Sequence, residues 1–438
     1  MNKLHFFIIL MLSFTLAFGQ ESKKLLSVKD MHTDIDYYYT NLVETHPYPY
    51  HVLSKEQWKQ KIDSIKSSIT APKTKREFLN IMTELNCYLD AHSRIAAPKK
   101  VRKKMTKPLM IPYIEEVGEN VCFVDSNGDI CTLETLDGKT PKEIKNFVDS
   151  RYSFIEPMKN ITFLNYIRLY CNNNMIIDSI PYTYVDSLGN HYTSSLKREK
   201  SDKKYKNSRN LHLVYDTVRS TAVMEVNTFM PSGIRGVLKY RKDVIALFDT
   251  LQKRKIDTLF VDVSCNGGGS VALVNWLVGF FMKETSSVYA GTWMQRFSKQ
   301  RDKKKYDWLV YSDRSQEYIQ RKTFFYPSES KPKFTGKVYV VQSRNSFSGA
   351  AIFSSLMQTY VKNCEVVGEE GEVKAFYADP LLFSMPKSKL SFTISSMYGS
   401  FAGKDKSVGA VPDIPFKIYD PLHIFTITEL KQAIKISE

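Results

Sequence analysis

Long apolar runs, clustered cysteines and metal-ligand motifs are scarce in this sequence of 438 residues. Beyond the N-terminus, the one strongly apolar run, Val271–Phe281, is too short to span a bilayer, and its position between strand patterns favours a buried helix. No spacing of His, Cys, Asp and Glu is typical of a metal site, and no phosphate-binding loop occurs. The sequence therefore implies neither a metal nor a nucleotide cofactor.

The six cysteines are too widely spaced for a dense disulfide framework or a zinc motif. Cys122 and Cys131 are the single pair that is close in sequence, and a disulfide between them would join the two strands of a hairpin; buried free thiols are the alternative.

The formal net charge is +16, and the basic residues are densest in two runs, Lys197–Arg209 and Lys299–Asp307. Such runs are typical of solvated loops, and they interleave too few aromatic residues for a nucleic-acid platform.

The first residues, MNKLHFFIILMLSFTLAFGQ, combine a basic start, the apolar run Phe6–Ala17 and small residues ahead of Gln20. This pattern predicts a signal peptide over residues 1–19 and a periplasmic or extracellular mature protein with no integral membrane segment. Nothing in the sequence indicates an oligomeric state.

Three regions follow the signal peptide. Residues 20–97 have helical periodicity and two capping boxes, Ser54 with Gln57 and Thr74 with Glu77, which predict an N-terminal helical domain. Residues 98–215 alternate in short runs with turn signals and predict a β-rich middle domain with one helix, Pro141–Val148. Residues 216–438 alternate strands with helices, apart from a long insertion after Met282, and predict a mostly parallel α/β sheet.

Ligands bind at the carboxyl ends of such strands, and two strand ends contain chemically useful residues. One is VDVSCNGGGS, where glycine amides can approach an oxygen that gains negative charge. The other is VVQSRNSFSG, where Ser348 begins a helix and is either an ordinary N-cap or a nucleophile beside the amide of Gly349. His92, after an amphipathic helix in LDAHSRI, is the candidate base, with a capping or core histidine as the alternative.

Several ordered segments resemble the C-terminal-processing (tail-specific) serine peptidase family, in its tricorn-core-like branch: ETHPYPYHVLSKEQW, LDAHSRI, TLETLDGKTPKEI, DTLFVDVSCNGGGS, VYVVQSRNSFSGAAIF, EVVGEEGE and VGAVPDIPF. The resemblance implies a ClpP/crotonase-like catalytic domain, a PDZ-like middle domain and a polypeptide substrate. It also implies Ser348 as nucleophile and an oxyanion hole made by Gly349 with Gly267 or Gly268.

The family divides over its general base. One branch uses a histidine, which corresponds to His92, and the other a lysine, which corresponds to Lys374 without the surrounding motif. Relatives in the histidine branch carry a carboxylate near the position of Lys406, with Asp405 beside it here. A lysine there disfavours the imidazolium form of the base. The functional prediction is a secreted serine endopeptidase. The alternatives are an impaired member that binds peptides or hydrophobic ligands, and an adhesin for anionic surfaces.

Overall fold

The computed structural model describes residues 25–105, 114–125, 127–152, 163–198, 210–283, 286–296, 318–370, 377–401, 410–418 and 423–435. The predicted signal peptide, nearly all of both basic runs, and Lys374, Asp405 and Lys406 lie outside these ranges. Among the residues within them, no helix is both long and apolar enough to cross a membrane.

Within the described ranges the chain forms helices α1 (Val28–Thr45), α2 (Lys55–Ser68), α3 (Lys75–Met82), α4 (Lys99–Lys104), α5 (Pro141–Tyr152), α6 (Phe163–Asn173), α7 (Gly233–Lys253), α8 (Val271–Val278), α9 (Gly349–Tyr360) and α10 (Ile427–Ala433). The strands are β1 (Arg94–Ala96), β2 (Ile114–Val117), β3 (Asn120–Val124), β4 (Ile130–Leu136), β5 (Ser179–Val185), β6 (His191–Lys197), β7 (Leu211–Asp216), β8 (Thr221–Val226), β9 (Thr258–Asp262), β10 (Val288–Arg296), β11 (Tyr318–Phe325), β12 (Lys337–Gln342), β13 (Cys364–Gly368), β14 (Tyr377–Ser384), β15 (Ser391–Phe401) and β16 (Ile414–Pro415).

The N-terminal helices begin where the capping residues predict. Ser54 and Gln57 form a reciprocal capping box on α2, and Thr74 and Glu77 form another on α3. After α3 the chain tightens into a 3-10 helix over Thr83–Tyr88, so the regular helix is shorter than the apolar spacing indicates. The apolar side chains that recur at helical spacing in this segment are nevertheless fully buried: Phe78, Met82, Leu85 and Leu89.

These helices pack on two strands from the C-terminal part of the chain, β14 and β15. Tyr38 of α1 contacts Phe392 of β15, with ring centroids 5.2 Å apart, inside one continuous apolar core. The buried carboxylate of Asp34 also accepts hydrogen bonds from the backbone amides of Lys387 (2.8 Å) and Ser388 (2.7 Å), in the turn between the two strands. The predicted helical domain therefore completes its core with strands distant in sequence.

The loop that follows these helices is attached to the same sheet. β1 pairs antiparallel with β15, matching Arg94 with Thr393 and Ala96 with Ser391. Among the described residues this sheet has the order β1-β15-β10-β11, and β14 pairs with β15 as well. The region after Met282 that we predict as an insertion thus supplies two sheet strands. The pairing of β1 holds Asp90–Ser93 against the rest of the protein.

The middle region forms an antiparallel sheet in the order β2-β3-β4-β5-β6, as its alternating pattern predicts, with its own apolar core. It contains a second helix, α6, that the sequence patterns do not predict.

No disulfide bond joins the six cysteines, all of which are described. Cys131 pairs with Phe123 and Cys122 with Thr132, so the two thiols point to opposite faces of the sheet and the hairpin staple is excluded.

The C-terminal region forms the predicted α/β sheet. Among the described residues its order is β16-β13-β12-β9-β8-β7, parallel except for β7. β9 and β12 are neighbours, with Val261 opposite Val340 and Asp262 opposite Val341. Their carboxyl ends therefore meet at one edge, which brings the glycine-rich turn and the serine-containing turn together.

Candidate active site

Ser348 lies at a strained turn between β12 and α9. Its backbone has φ 53° and ψ −115°, a positive φ that non-glycine residues rarely adopt. The side chain makes no capping hydrogen bond, which contradicts the ordinary N-cap interpretation. A half-buried hydroxyl held on a sharp strand-to-helix turn is typical of a nucleophile.

The neighbouring serines hold this turn in place. Ser343 Oγ donates to the carbonyl of Ser264 at 2.5 Å, and Ser346 Oγ donates to the carbonyl of Val263 at 2.8 Å. The amide of Phe347 donates to the carbonyl of Asn266 at 3.0 Å. The small polar residues of SRNSFSG therefore join the end of β12 to the turn after β9. Because these bonds are buried, they offset the strain at the nucleophile position.

The glycine-rich turn packs directly beneath Ser348. A Cβ added to Gly268, which has φ +95°, would lie 2.7 Å from Gly349 N, 2.7 Å from Phe347 O and 2.8 Å from Ser348 Cβ. A Cβ added to Gly267 would meet nothing within 4 Å. Glycine is required at position 268 by close approach of two backbones, whereas position 267 faces open space.

The two glycine amides differ in availability. The amide of Gly268 donates to Asn266 Oδ1 at 2.8 Å, so it is already engaged. Gly267 instead lines a cavity together with His92. Gly349 is the first residue of α9, where backbone N–H groups have no acceptor within the helix. Of the two alternatives that the sequence leaves open, the geometry favours Gly267 as the partner of Gly349.

His92 reaches the same site from the N-terminal part of the chain. Its ring packs against Phe347, which precedes Ser348, with ring centroids 4.6 Å apart. The side chain is almost fully buried, and Nε2 has no hydrogen-bond partner among the described residues. Burial lowers the pKa of His92 to about 4, against the opposing charge of Asp90 and with a smaller lowering effect from Arg94. The imidazole is therefore neutral at pH 7 and able to accept a proton.

Asp90 holds the loop that carries His92, a role that the sequence analysis does not identify. Its Oδ1 accepts hydrogen bonds from the amide of His92 (2.8 Å), the amide of Ser93 (3.2 Å) and the hydroxyl of Ser395 (2.7 Å). Its Oδ2 lies 3.0 Å from His46 Nε2. Burial alone would raise the pKa of Asp90, but the hydrogen bond from His46, with those from its other partners, holds that pKa well below its ordinary value.

The tautomer of His46 follows from its second contact. The backbone amide of Tyr48 donates to His46 Nδ1 at 3.1 Å, so Nδ1 carries no proton and Nε2–H donates to Asp90. Both side chains are buried. The sequence signal for this network is the spacing of an aspartate two residues before His92, together with the histidine that ends α1. It becomes interpretable once the fold brings them together.

A cavity of about 480 Å³ adjoins these residues. His92, Gly267 and Phe347 line it together with Ala91, Arg344 and Asn345, and α4, β1, β14 and β15 contribute the other lining residues. Among the described residues, no group of three or more His, Cys, Asp or Glu is arranged to hold a metal ion. Ser348 as candidate nucleophile, the neutral imidazole of His92 as candidate base, and backbone amides as candidate donors are the kinds of group that a serine hydrolase uses.

Comparison with known proteins agrees with this class. Residues 220–416 match the model of peptidase family S41, a family of serine-type peptidases. The structure of mature CPAF covers 89% of this chain and 92% of its own, with a TM-score of 0.59 and 12% identity. Mature CPAF complexed with lactacystin covers 89% and 94%, with a TM-score of 0.60 and 12% identity. At this identity the two structures show a shared fold. No curated protein sequence matches the chain.

The family match and the sheets confirm the predicted α/β fold class with its helical N-terminal region. They also confirm the resemblance to the C-terminal-processing peptidases. The roles of Ser348, His92 and the glycine amides remain predictions that the geometry supports. Those of Asp405 and Lys374 remain predictions about residues outside the described ranges.

Proposed function

We propose that the protein is a secreted endopeptidase that cleaves polypeptides through an acyl-enzyme formed on Ser348. The observation that carries this proposal is the convergence of three features around the turn that contains Phe347 and Ser348. Ser348 is displayed on a strained turn without a capping bond. His92 packs against the adjacent Phe347 with a buried, unpartnered Nε2 within the described structure. Gly349 directly follows Ser348 at the start of α9, and Gly267 lines the same cavity as His92 and Phe347.

In the proposed reaction Ser348 Oγ attacks the carbonyl carbon of the scissile bond while His92 accepts the hydroxyl proton. The Gly349 and Gly267 amides donate to the oxygen that becomes negative, a contribution worth roughly 3 kcal/mol per donor in serine proteases. His92 then donates its proton to the leaving amine, and water completes the cycle by hydrolysing the ester. Asp405 is the proposed partner that stabilises the charged imidazolium.

Covalent labelling tests the nucleophile. A fluorophosphonate probe should label the wild-type protein at one site, and Ser348→Ala should abolish that labelling because the attacking oxygen is gone. Ser354→Ala is the matched control, since Ser354 lies on the same helix, is fully buried and has an unpartnered Oγ among the described residues. Equal labelling of wild type and Ser348→Ala would show that another residue reacts.

Mass spectrometry of the exported protein tests the predicted signal peptide. We expect the N-terminal residue of the exported protein to be Gln20.

The pH dependence of labelling tests the base. A general base acts when neutral, so the lowered pKa of His92 should keep the labelling rate constant from neutral pH down to about pH 5 and halve it near pH 4. With a histidine of ordinary pKa as the base, the labelling rate would fall by half at about pH 6.5. A midpoint above neutral pH would point instead to a lysine, and therefore to Lys374.

The alternative function is a peptide- or hydrophobic-ligand-binding protein that has lost turnover. The cavity of about 480 Å³ favours this reading, because part of its wall is apolar. Unstructured casein separates the two functions. A folded protein that binds ligand but leaves casein intact and takes up no probe between about pH 5 and pH 9 would be a binding protein.

A further inference from the structure

The charged side chains that line the cavity beside the proposed catalytic residues are all basic among the residues that the structure describes. Its described lining contains Arg94, Arg102 and Arg344, and no aspartate or glutamate. Arg344 is already neutralised, because its guanidinium pairs with both carboxylate oxygens of Glu369, Nη2 to Oε1 at 2.6 Å and Nε to Oε2 at 3.2 Å. The other two arginines have no carboxylate partner among the described residues. Among the described residues, two arginines without a carboxylate partner therefore line the cavity.

Arg94 and Arg102 are held differently. Arg94 is exposed, and its Nε and Nη2 both donate to the carbonyl of Ala91, which fixes the guanidinium near the loop of His92. Its charge reaches the base, since it contributes to the lowered pKa of His92. Arg102 lies in the last turn of α4 and is exposed as well. The pair thus forms the cationic part of the cavity lining, contributed by β1 and α4.

Other residues that line the cavity are apolar. Pro380 and Leu382 of β14 and Phe392 of β15 line the cavity together with Phe347. Such a cavity suits a group that combines an apolar stem with a terminal negative charge. A guanidinium matches a carboxylate in particular, because its planar donors form two parallel hydrogen bonds to the two oxygens.

We infer that this cavity binds a carboxylate of the peptide substrate, with Arg102 and Arg94 as the residues that determine this specificity. The inference rests on the proposed function, because Gly267 and His92 line the same cavity and a peptide cleaved there must pass along it. A carboxylate on a peptide comes either from an aspartate or glutamate side chain or from a free C-terminus. Both present the same chemistry to the arginines.

Binding to the full-length Ser348→Ala protein tests the inference without requiring cleavage. The probes are fluorescent peptides of one neutral sequence: a series in which a single glutamate moves through the chain with an amidated C-terminus, a version with a free C-terminus and no glutamate, and a fully neutral version. We expect one or more carboxylate peptides to bind about tenfold more tightly than the neutral one, as measured by fluorescence anisotropy. The arm that gains affinity identifies the source of the carboxylate.

Arg102→Gln, added to Ser348→Ala, should remove this preference. Lys100→Gln is the matched control, because Lys100 is an exposed cation on the same helix that does not line the cavity. Equal affinity for neutral and carboxylate peptides would overturn the inference, as would equal losses in the two variants. If probe labelling of Ser348 succeeds while no carboxylate preference exists, the inference fails and the proposed function stands. If the preference depends on Arg102 but the wild type cleaves none of the peptides, the proposed function fails and the inference stands.

Discussion

Gly268→Ala is expected to destabilise the protein by about 4 kcal/mol and to lower its probe-labelling rate at least about a hundredfold. The new Cβ would approach Gly349 N, Phe347 O and Ser348 Cβ to within 2.8 Å, and all three belong to the turn that displays the nucleophile. Two of these atoms are backbone atoms, so no side-chain rotation relieves the contact. The turn must move as a whole, which displaces Ser348 from His92 and shifts the Gly349 amide.

Gly128→Ala separates the effect of crowding from that of backbone strain. Gly128 has φ +92°, close to the +95° of Gly268, but an added Cβ there meets nothing within 4 Å. This control should lose about 1 kcal/mol of stability and label at the wild-type rate. Thermal unfolding and labelling rates measure both variants. If Gly268→Ala behaves like Gly128→Ala, the glycine-rich turn does not support Ser348 in the way the structure indicates.

The central sheet is the part of the fold that sequence patterns predict best. β12 (Lys337–Gln342) and α9 (Gly349–Tyr360) lie in the region where the sequence predicts alternating strands and helices. These segments are buried on both faces, so continuous apolar runs and the small residues between them determine the local structure. For the same reason the two chemically useful strand ends are identifiable from the sequence: parallel neighbours bring their carboxyl ends to one edge.

The N-terminal half of the site depends on contacts that local patterns do not encode. His92 is positioned because β1 pairs with β15, and Asp34 caps the turn between β14 and β15. These contacts join segments that are about 300 residues apart in sequence, as the separation of 301 between Thr393 and His92 shows. Neither periodicity nor capping rules predict such partners, which is also why the four contacts of Asp90 are visible only in the folded chain.

Asp90→Asn is expected to lower stability by about 3 kcal/mol at pH 7 and to slow Ser348 labelling strongly. The remaining oxygen can still accept from His92 and Ser93, but the new amide group faces Nε2–H of His46, donor against donor. Switching His46 to its other tautomer would place Nδ1–H against the amide N–H of Tyr48, so a buried donor is left unsatisfied in either case.

The stabilising effect of Asp90 depends on pH. Because the pKa of Asp90 is lowered in the folded state, this effect is fully present at neutral pH and is lost in strong acid. The difference from wild type should therefore shrink as the pH falls.

Asp34→Asn distinguishes a positioning role for Asp90 from a purely structural one. Asp34 is also fully buried and also accepts two backbone amides, at 2.8 Å from Lys387 and 2.7 Å from Ser388, but it lies on α1 at the β14–β15 turn. Both variants should lose stability in thermal unfolding, because each weakens buried charge-assisted hydrogen bonds. At a temperature where both remain folded, only Asp90→Asn should label slowly, since only Asp90 orders the loop that carries His92.

The pH profile of labelling gives a second readout. Asp90→Asn should move its midpoint to lower pH, because the charge of Asp90 raises the pKa of His92. Wild-type labelling rates in folded Asp90→Asn would show that the loop is held without this carboxylate, and that Asp90 contributes to the fold alone.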